Sequence, residues 1–279
     1  MGTKVWIIIA IALLLIGAVT FTIVMTVYEW DFNKLTTVEY VENVYELTDD
    51  FINISVDCVT DDIEFMPSED NTCKVVCVEQ TENPHVVSIE DNTLKVSQND
   101  LKWYKNIGIS TASPKITIYL PKTGFKSITD DKITGDTALG FFSANNLSIS
   151  VTTGDVSISN FVCEDLDIRI ITGDIFLKNI LCKNLNSTGV TGDIDLESVL
   201  ADGNLQISRT TGDIRFDCCD ANDLKINITS GDVTGTLWSE KKFIASTTTG
   251  DVDVPASIKG GKCEITSTTG DIKISLVNN

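Results

Sequence analysis

From residue 128 onward, apolar side chains alternate with polar ones on both sides of a recurring Gly-Asp pair. Alternation of this kind marks strands with one buried face. The pairs are Gly135-Asp136, Gly154-Asp155, Gly173-Asp174, Gly192-Asp193, Gly212-Asp213, Gly231-Asp232, Gly250-Asp251 and Gly270-Asp271, in steps of 19 or 20 residues. Thr or Ser precedes every glycine. Seven positions before the glycine the residues are Ile128, Leu147, Leu166, Leu185, Leu205, Leu224, Phe243 and Cys263. Two and four positions after it, isoleucine, valine and leucine dominate. A strand–turn–strand unit of this size cannot bury its apolar face alone, whereas stacked copies turn each column into a ladder. The pattern therefore predicts an all-β, parallel β-solenoid of about eight 19–20-residue coils over 128–279, with rungs ~4.8 Å apart. An antiparallel meander competes. Its strands would alternate in direction, which fits identical grammar in every copy less well.

Each turn residue has a physical role. Glycine accepts a positive φ without steric cost. Threonine suits a strand end. Aspartate can accept bonds from turn N–H groups. Stacked aspartates repel one another, so Asp136, Asp155, Asp174, Asp193, Asp213, Asp232, Asp251 and Asp271 are calcium candidates, although known calcium repeats use more glycine and a shorter period. The register also orients cysteines. Cys163 and Cys182 share a small-residue column with Ala144, Ala201 and Ala221, either as packed thiols or as a candidate disulfide between adjacent coils. Cys219 falls in an inward column with Phe142, Phe161, Ile180, Val199 and Trp238, which leaves Cys218 outside.

Before the repeats, residues 5–27 are uncharged and predominantly apolar. A helix of that length spans the ~30 Å hydrocarbon core of a bilayer. Lys4 precedes it and Glu29 and Asp31 follow, so the positive-inside rule places a cytoplasmic stub at 1–4, a transmembrane anchor at 5–28 and the remainder outside the cell membrane. Residues 29–50 read as a juxtamembrane linker. Strands are expected at 52–56, 62–65, 74–79, 86–89, 93–96 and 115–120, with a tight hairpin at Asp91-Asn92. Together, 51–127 read as a β-rich cap over the first coil, with Cys58, Cys73 and Cys77 inside it and a disulfide there a candidate. At the other end the last coil would show an unpaired edge, a site for self-association.

The formal charge of −19 argues against nucleic acid as a partner. The single histidine, His85, excludes schemes that need two imidazoles. The TTGDV/I copies, DIEFMPS at 62–68, IEDNTLKV at 89–96 and ITIYLP at 116–121 resemble the bacterial "putative adhesin" family, a β-strand-repeat domain of unknown function. That resemblance implies an envelope location and, in some members, a link to envelope-stress regulation. It brings no catalytic residues and no cofactor. The expected function is a non-catalytic binding, adhesin-like or structural module with an envelope or surface protein or glycan as partner. Stress sensing through a membrane partner, a calcium ladder and a polysaccharide-active enzyme are the alternatives. The last lacks inserted loops from which to build a cleft.

Overall fold

A computed structural model describes residues 3–32, 39–98 and 113–277. Among these residues there is one helix, α1 (Thr3–Val27), followed by strands that form a single sheet system. The helix contains a span of 24 residues, Lys4–Val27, long and apolar enough to cross a membrane.

The first nine strands are β1 (Tyr40–Leu47), β2 (Asn53–Cys58), β3 (Asp62–Pro67), β4 (Cys73–Gln80), β5 (His85–Glu90), β6 (Thr93–Gln98), β7 (Lys115–Leu120), β8 (Gly124–Thr134) and β9 (Thr137–Gly140). The middle of the chain continues with β10 (Ser143–Thr153), β11 (Val156–Thr172), β12 (Ile175–Cys182), β13 (Asn184–Thr191), β14 (Ile194–Thr211) and β15 (Ile214–Ser230). The last five are β16 (Val233–Leu237), β17 (Lys242–Thr249), β18 (Val252–Asp253), β19 (Lys262–Thr269) and β20 (Ile272–Leu276).

Neighbouring coils pair in parallel, so the architecture is the predicted solenoid. Leu147 lies opposite Leu166, and Leu166 opposite Leu185. Leu185 faces Leu205, and Leu205 faces Leu224. All five side chains are buried, as are Phe142, Phe161, Ile180, Val199 and Cys219 in the second column. Complete burial of one such side chain contributes roughly 1.5–3 kcal/mol, and one rung supplies several. Trp238 departs from its column and is 51 % exposed, its indole N–H donating to Cys218 O. A second left-handed position recurs six residues after the glycine, at Phe141, Asn160, Asn179, Ser198 and Cys218. Asparagine tolerates that conformation better than most residues, and there the strand bends from one face of the coil to the next.

Both ends of the stack differ from the expected plan. The segment read as a cap is largely solenoid. β2 pairs in parallel with β8 and β6, and β3 pairs in parallel with β9 and β7. Two further coils therefore extend the stack, and the later one in sequence, β6 with β7, lies outermost. Only β4 and β5 run antiparallel to them, with Asp91 and Asn92 forming the left-handed two-residue turn between β5 and β6. The region read as linker contributes β1, which pairs antiparallel with β4 along its whole length. Its alternating residues Tyr45 and Leu47 pack on the core, so burial outweighs the acidic composition that suggested a linker.

At the far end, β19 pairs with β15 on one side and β17 on the other, while β20 lies between β16 and β18. The coil that comes last in sequence is thus interior. The open edge belongs to β17 and β18, not to the C-terminal coil. Gly261 makes the return crossing feasible, because a Cβ there would lie 1.7 Å from Asn222 O. Val252, in an otherwise buried column, is exposed because its rung is the last.

Candidate functional site

The turn residues form one continuous hydrogen-bonded ladder. Oδ1 of every turn aspartate except Asp251, on the edge rung, accepts the backbone N–H of the aspartate one coil along: Asp136 from Asp155, Asp155 from Asp174, Asp174 from Asp193 and Asp193 from Asp213, each at 2.8 Å. The series continues through Asp213 to Asp232, Asp232 to Asp271 and Asp271 to Asp251. It begins one coil earlier than the motif, at Asp62, which accepts from Asp136 N–H at 2.9 Å. One oxygen of each of these carboxylates is therefore committed to joining coils. The threonine carbonyls do similar work, with Gly154 N–H reaching Thr172 O and Gly173 N–H reaching Thr191 O, both at 3.0 Å.

The glycines of this column pack against backbone. Gly173 has φ +142°, and a Cβ on it would lie 1.9 Å from Gly154 O. Gly135, Gly154, Gly192, Gly212, Gly231, Gly250 and Gly270 meet the neighbouring turn in the same way.

Cys163 and Cys182 are buried free thiols at equivalent places on adjacent coils, beside Ala144 and Ala201 respectively. The adjacent Cys182 thiol, together with burial, pushes Cys163 up. On the outer surface, Val162, Leu181 and Leu200 lie in register on three consecutive rungs and are 49 %, 50 % and 38 % exposed. Ile244, Val252 and Ile258 add exposed apolar area around the open edge. A cleft of about 540 Å³ is lined by Glu46, Met66, Ser68, Asp70, Lys74 and Tyr119 among others. Two of its charged groups are engaged within its own lining. Asp70 accepts from the Ser68 and Thr72 hydroxyls, and the Lys74 ammonium sits 4.5 Å from the Tyr119 ring centroid.

The densest chemistry lies at the N-terminal end, where Cys58, Asp61, Cys77, Glu79 and His85 are buried together. Cys58, Asp61 and His85 place one ligand atom each within 4.8 Å of one another, and so do Cys77, Glu79 and His85. Glu79 holds the imidazole from one side. Its Oε2 lies 2.5 Å from His85 Nδ1 and accepts the His85 backbone N–H at 2.5 Å. Its Oε1 accepts from Asn43 Nδ2 at 2.5 Å and from the Tyr45 hydroxyl at 3.0 Å. Burial alone would raise Glu79; these donors outweigh it and hold the carboxyl below the usual range.

Asp61 stands on the other side of the ring, its Oδ1 3.3 Å from His85 Nε2. Burial pulls His85 down, but the Asp61 carboxylate and the two thiols raise it overall. Both Asp61 oxygens and His85 Nε2 lack a hydrogen-bond partner. On the next coil, Lys132 lies opposite Cys58 but pairs with Asp130 at 3.5 Å and donates to Asp136 O at 2.5 Å.

The sequence pattern did not single out this cluster. Its signal was a register one. Ile54 aligns with Ile128 and Ile63 with Thr137, so Thr60-Asp61-Asp62-Ile63 is a degenerate copy of the turn with Asp61 in the glycine place. The Asp61 carbonyl indeed lies beneath Gly135 as the Gly135 carbonyl lies beneath Gly154.

Comparison with known proteins agrees with this architecture. The Toastrack DUF4097 family matches residues 51–207 and 177–279, and the chain belongs to it. A crystal structure titled a putative adhesin, from Bacteroides fragilis, is similar at 19 % identity and TM-score 0.55, covering 85 % of this chain and 97 % of that one. A putative adhesin from Parabacteroides distasonis aligns at 11 % identity and TM-score 0.46 over 86 % of this chain and 98 % of its own. A protein of the same organism titled a putative lipid binding protein aligns at 16 % identity and TM-score 0.44 over 85 % and 97 %. No curated protein matches the chain.

Proposed function

We propose that this Toastrack-family chain is a non-catalytic binding module, anchored in the cell membrane by α1 and displaying its solenoid outside the cell. The observation that carries the reading is the turn ladder. The most repeated polar residues, the obvious source of acid–base or calcium chemistry, each spend one carboxylate oxygen or one N–H on holding coil to coil. What remains for recognition is surface: the register-matched Val162, Leu181 and Leu200 stripe and the open edge at β17. Exposed apolar stripes and unpaired strand edges are the features by which sheets take partners. The fold shared with the Bacteroides fragilis protein supports an adhesin-like role.

Cross-linking and pull-down of the detergent-solubilised full chain tests this. The expected outcome is a specific envelope protein or glycan whose capture falls when Leu181 is replaced by Lys. Glycan hydrolysis by the purified chain would overturn the reading. Protease added to intact cells should remove the solenoid, and full protection would refute the orientation.

A further inference from the structure

The cluster around His85 has features that a charge network alone does not account for. Asp61 breaks the most regular rule in the chain, standing where eight other turns place glycine. A local rule broken by a charged residue marks a site under a different demand; in the outermost coil Pro114 also replaces the glycine, but without a charge. The carboxylate is 0 % exposed and neither oxygen has a hydrogen-bond partner. A buried carboxylate without hydrogen-bond donors is destabilising, and His85, its ion-pair partner at 3.3 Å, offsets only its charge.

His85 supplies a charge but no hydrogen bond. The contact from Nε2 to Asp61 Oδ1 is 3.3 Å and is not a hydrogen bond, whereas charge-assisted N–H···O bonds fall near ~2.7–2.9 Å. The spacing has another meaning. Two ligands ~2.0–2.1 Å from a tetrahedral ion stand about 3.3 Å apart.

We propose that Cys58 Sγ, His85 Nε2 and the Asp61 carboxylate form a structural site for a zinc-like divalent ion. Each of the three side chains presents one donor atom within 4.8 Å of the others, and a water would take the fourth tetrahedral position. Glu79 is the outer-shell carboxylate. By holding His85 Nδ1–H at 2.5 Å it fixes the tautomer that leaves Nε2 free to ligate. Asn43 and Tyr45 hold Glu79 in turn. Binding displaces the Cys58 thiol proton and takes His85 as neutral imidazole, so the thiol and any imidazolium proton leave to solvent.

The placement gives the ion a structural purpose. The Gly-Asp turns stop at Gly135-Asp136, one coil short of the site, which ties three strands together: Cys58 closes β2, Asp61 immediately precedes β3, and His85 opens β5.

The test is elemental analysis of the full chain, purified in detergent with reductant and without chelator. Wild type should carry one zinc per chain. If it is purified metal-free, it should take up one cobalt per chain with a thiolate-to-cobalt charge-transfer band. Asp61→Gly restores the repeat consensus, so it should keep the β circular-dichroism signature and a cooperative melt while losing the metal and the band. Cys58→Ala should lose the band as well, and it stands as the test if Asp61→Gly does not fold. A folded wild type that neither carries zinc nor binds cobalt would overturn the proposal, as would full metal retention by either variant. Neither result bears on whether the surface binds an envelope partner.

Discussion

Replacing Gly173 with alanine tests the stacking directly. At φ +142° an L-residue is strained, and the new methyl would sit 1.9 Å from Gly154 O and 2.7 Å from its carbonyl carbon. Both obstacles are backbone of the neighbouring rung, so no rotamer change relieves them. The backbone strain costs about 1–3 kcal/mol. Relief by separating the two turns loosens Gly154 N–H to Thr172 O at 3.0 Å and Asp174 N–H to Asp155 Oδ1 at 2.8 Å. Two such bonds contribute roughly 1–3 kcal/mol together. The sum is about 4 kcal/mol. For chains of this size 1 kcal/mol moves the midpoint by ~2–4 °C, so the melt followed by circular dichroism should fall by about 8–16 °C. Ser157→Ala, exposed on the same coil, serves as control. A Gly173→Ala melt within about 2 °C of the control would refute the close-stacked turn.

Three other outcomes follow from the geometry. Asp174→Ala removes the acceptor for Asp193 N–H at 2.8 Å and should cost about 0.5–1.5 kcal/mol in a denaturant titration, whereas Asp174→Asn keeps Oδ1 and should stay within about 0.5 kcal/mol. Arg209 is buried over Gly189, with Nε and Nη2 unpartnered and only Ile170 O, at 3.4 Å, accepting from Nη1; burial pulls it down to about 10. Arg209→Met should therefore raise stability by about 1–3 kcal/mol, and an equal loss would show that the guanidinium is well satisfied. Burial, followed by the bond to Glu79, pushes Tyr45 up to about 12 from 10.0. The folded chain then holds a proton that the unfolded chain has released, so the linked stability is complete below pH 10 and disappears between 10 and 12. Spectrophotometric titration should show one tyrosine ionising last, and Tyr45→Phe should abolish that step.

The interior of the rod was readable because its physics is periodic. A glycine that must face a carbonyl, and a leucine that must face leucine, impose the same demand on each copy, and the demand shows as a column. The ends were not readable for a related reason. Phe243 and Cys263 occupy the same column, and nothing local says which of them lies against Leu224; the pairing goes to Cys263. β2 and β6 carry the same alternating pattern, so their stacking order is equally silent. β1 was hidden by charge, since its exposed face is acidic while Tyr45 and Leu47 face inward. The His85 cluster escaped because its members lie on different strands and only Asp61 disturbs a motif. Setting 51–67 against the repeats by register, with no glycine required, would have exposed it.

The threading at the distal end has a consequence for synthesis. β17 pairs laterally with β19 alone among the strands, yet a ribosome delivers β17 first. Until β19 emerges, β17 has no side-by-side neighbour, and its exposed Ile244 is available to a nascent copy on the same message. A premature stop just ahead of β19 would strip two layers from the rod, because the layer already made would have nothing to lie against. Translation through β19 and β20 is therefore the step that seals the tip.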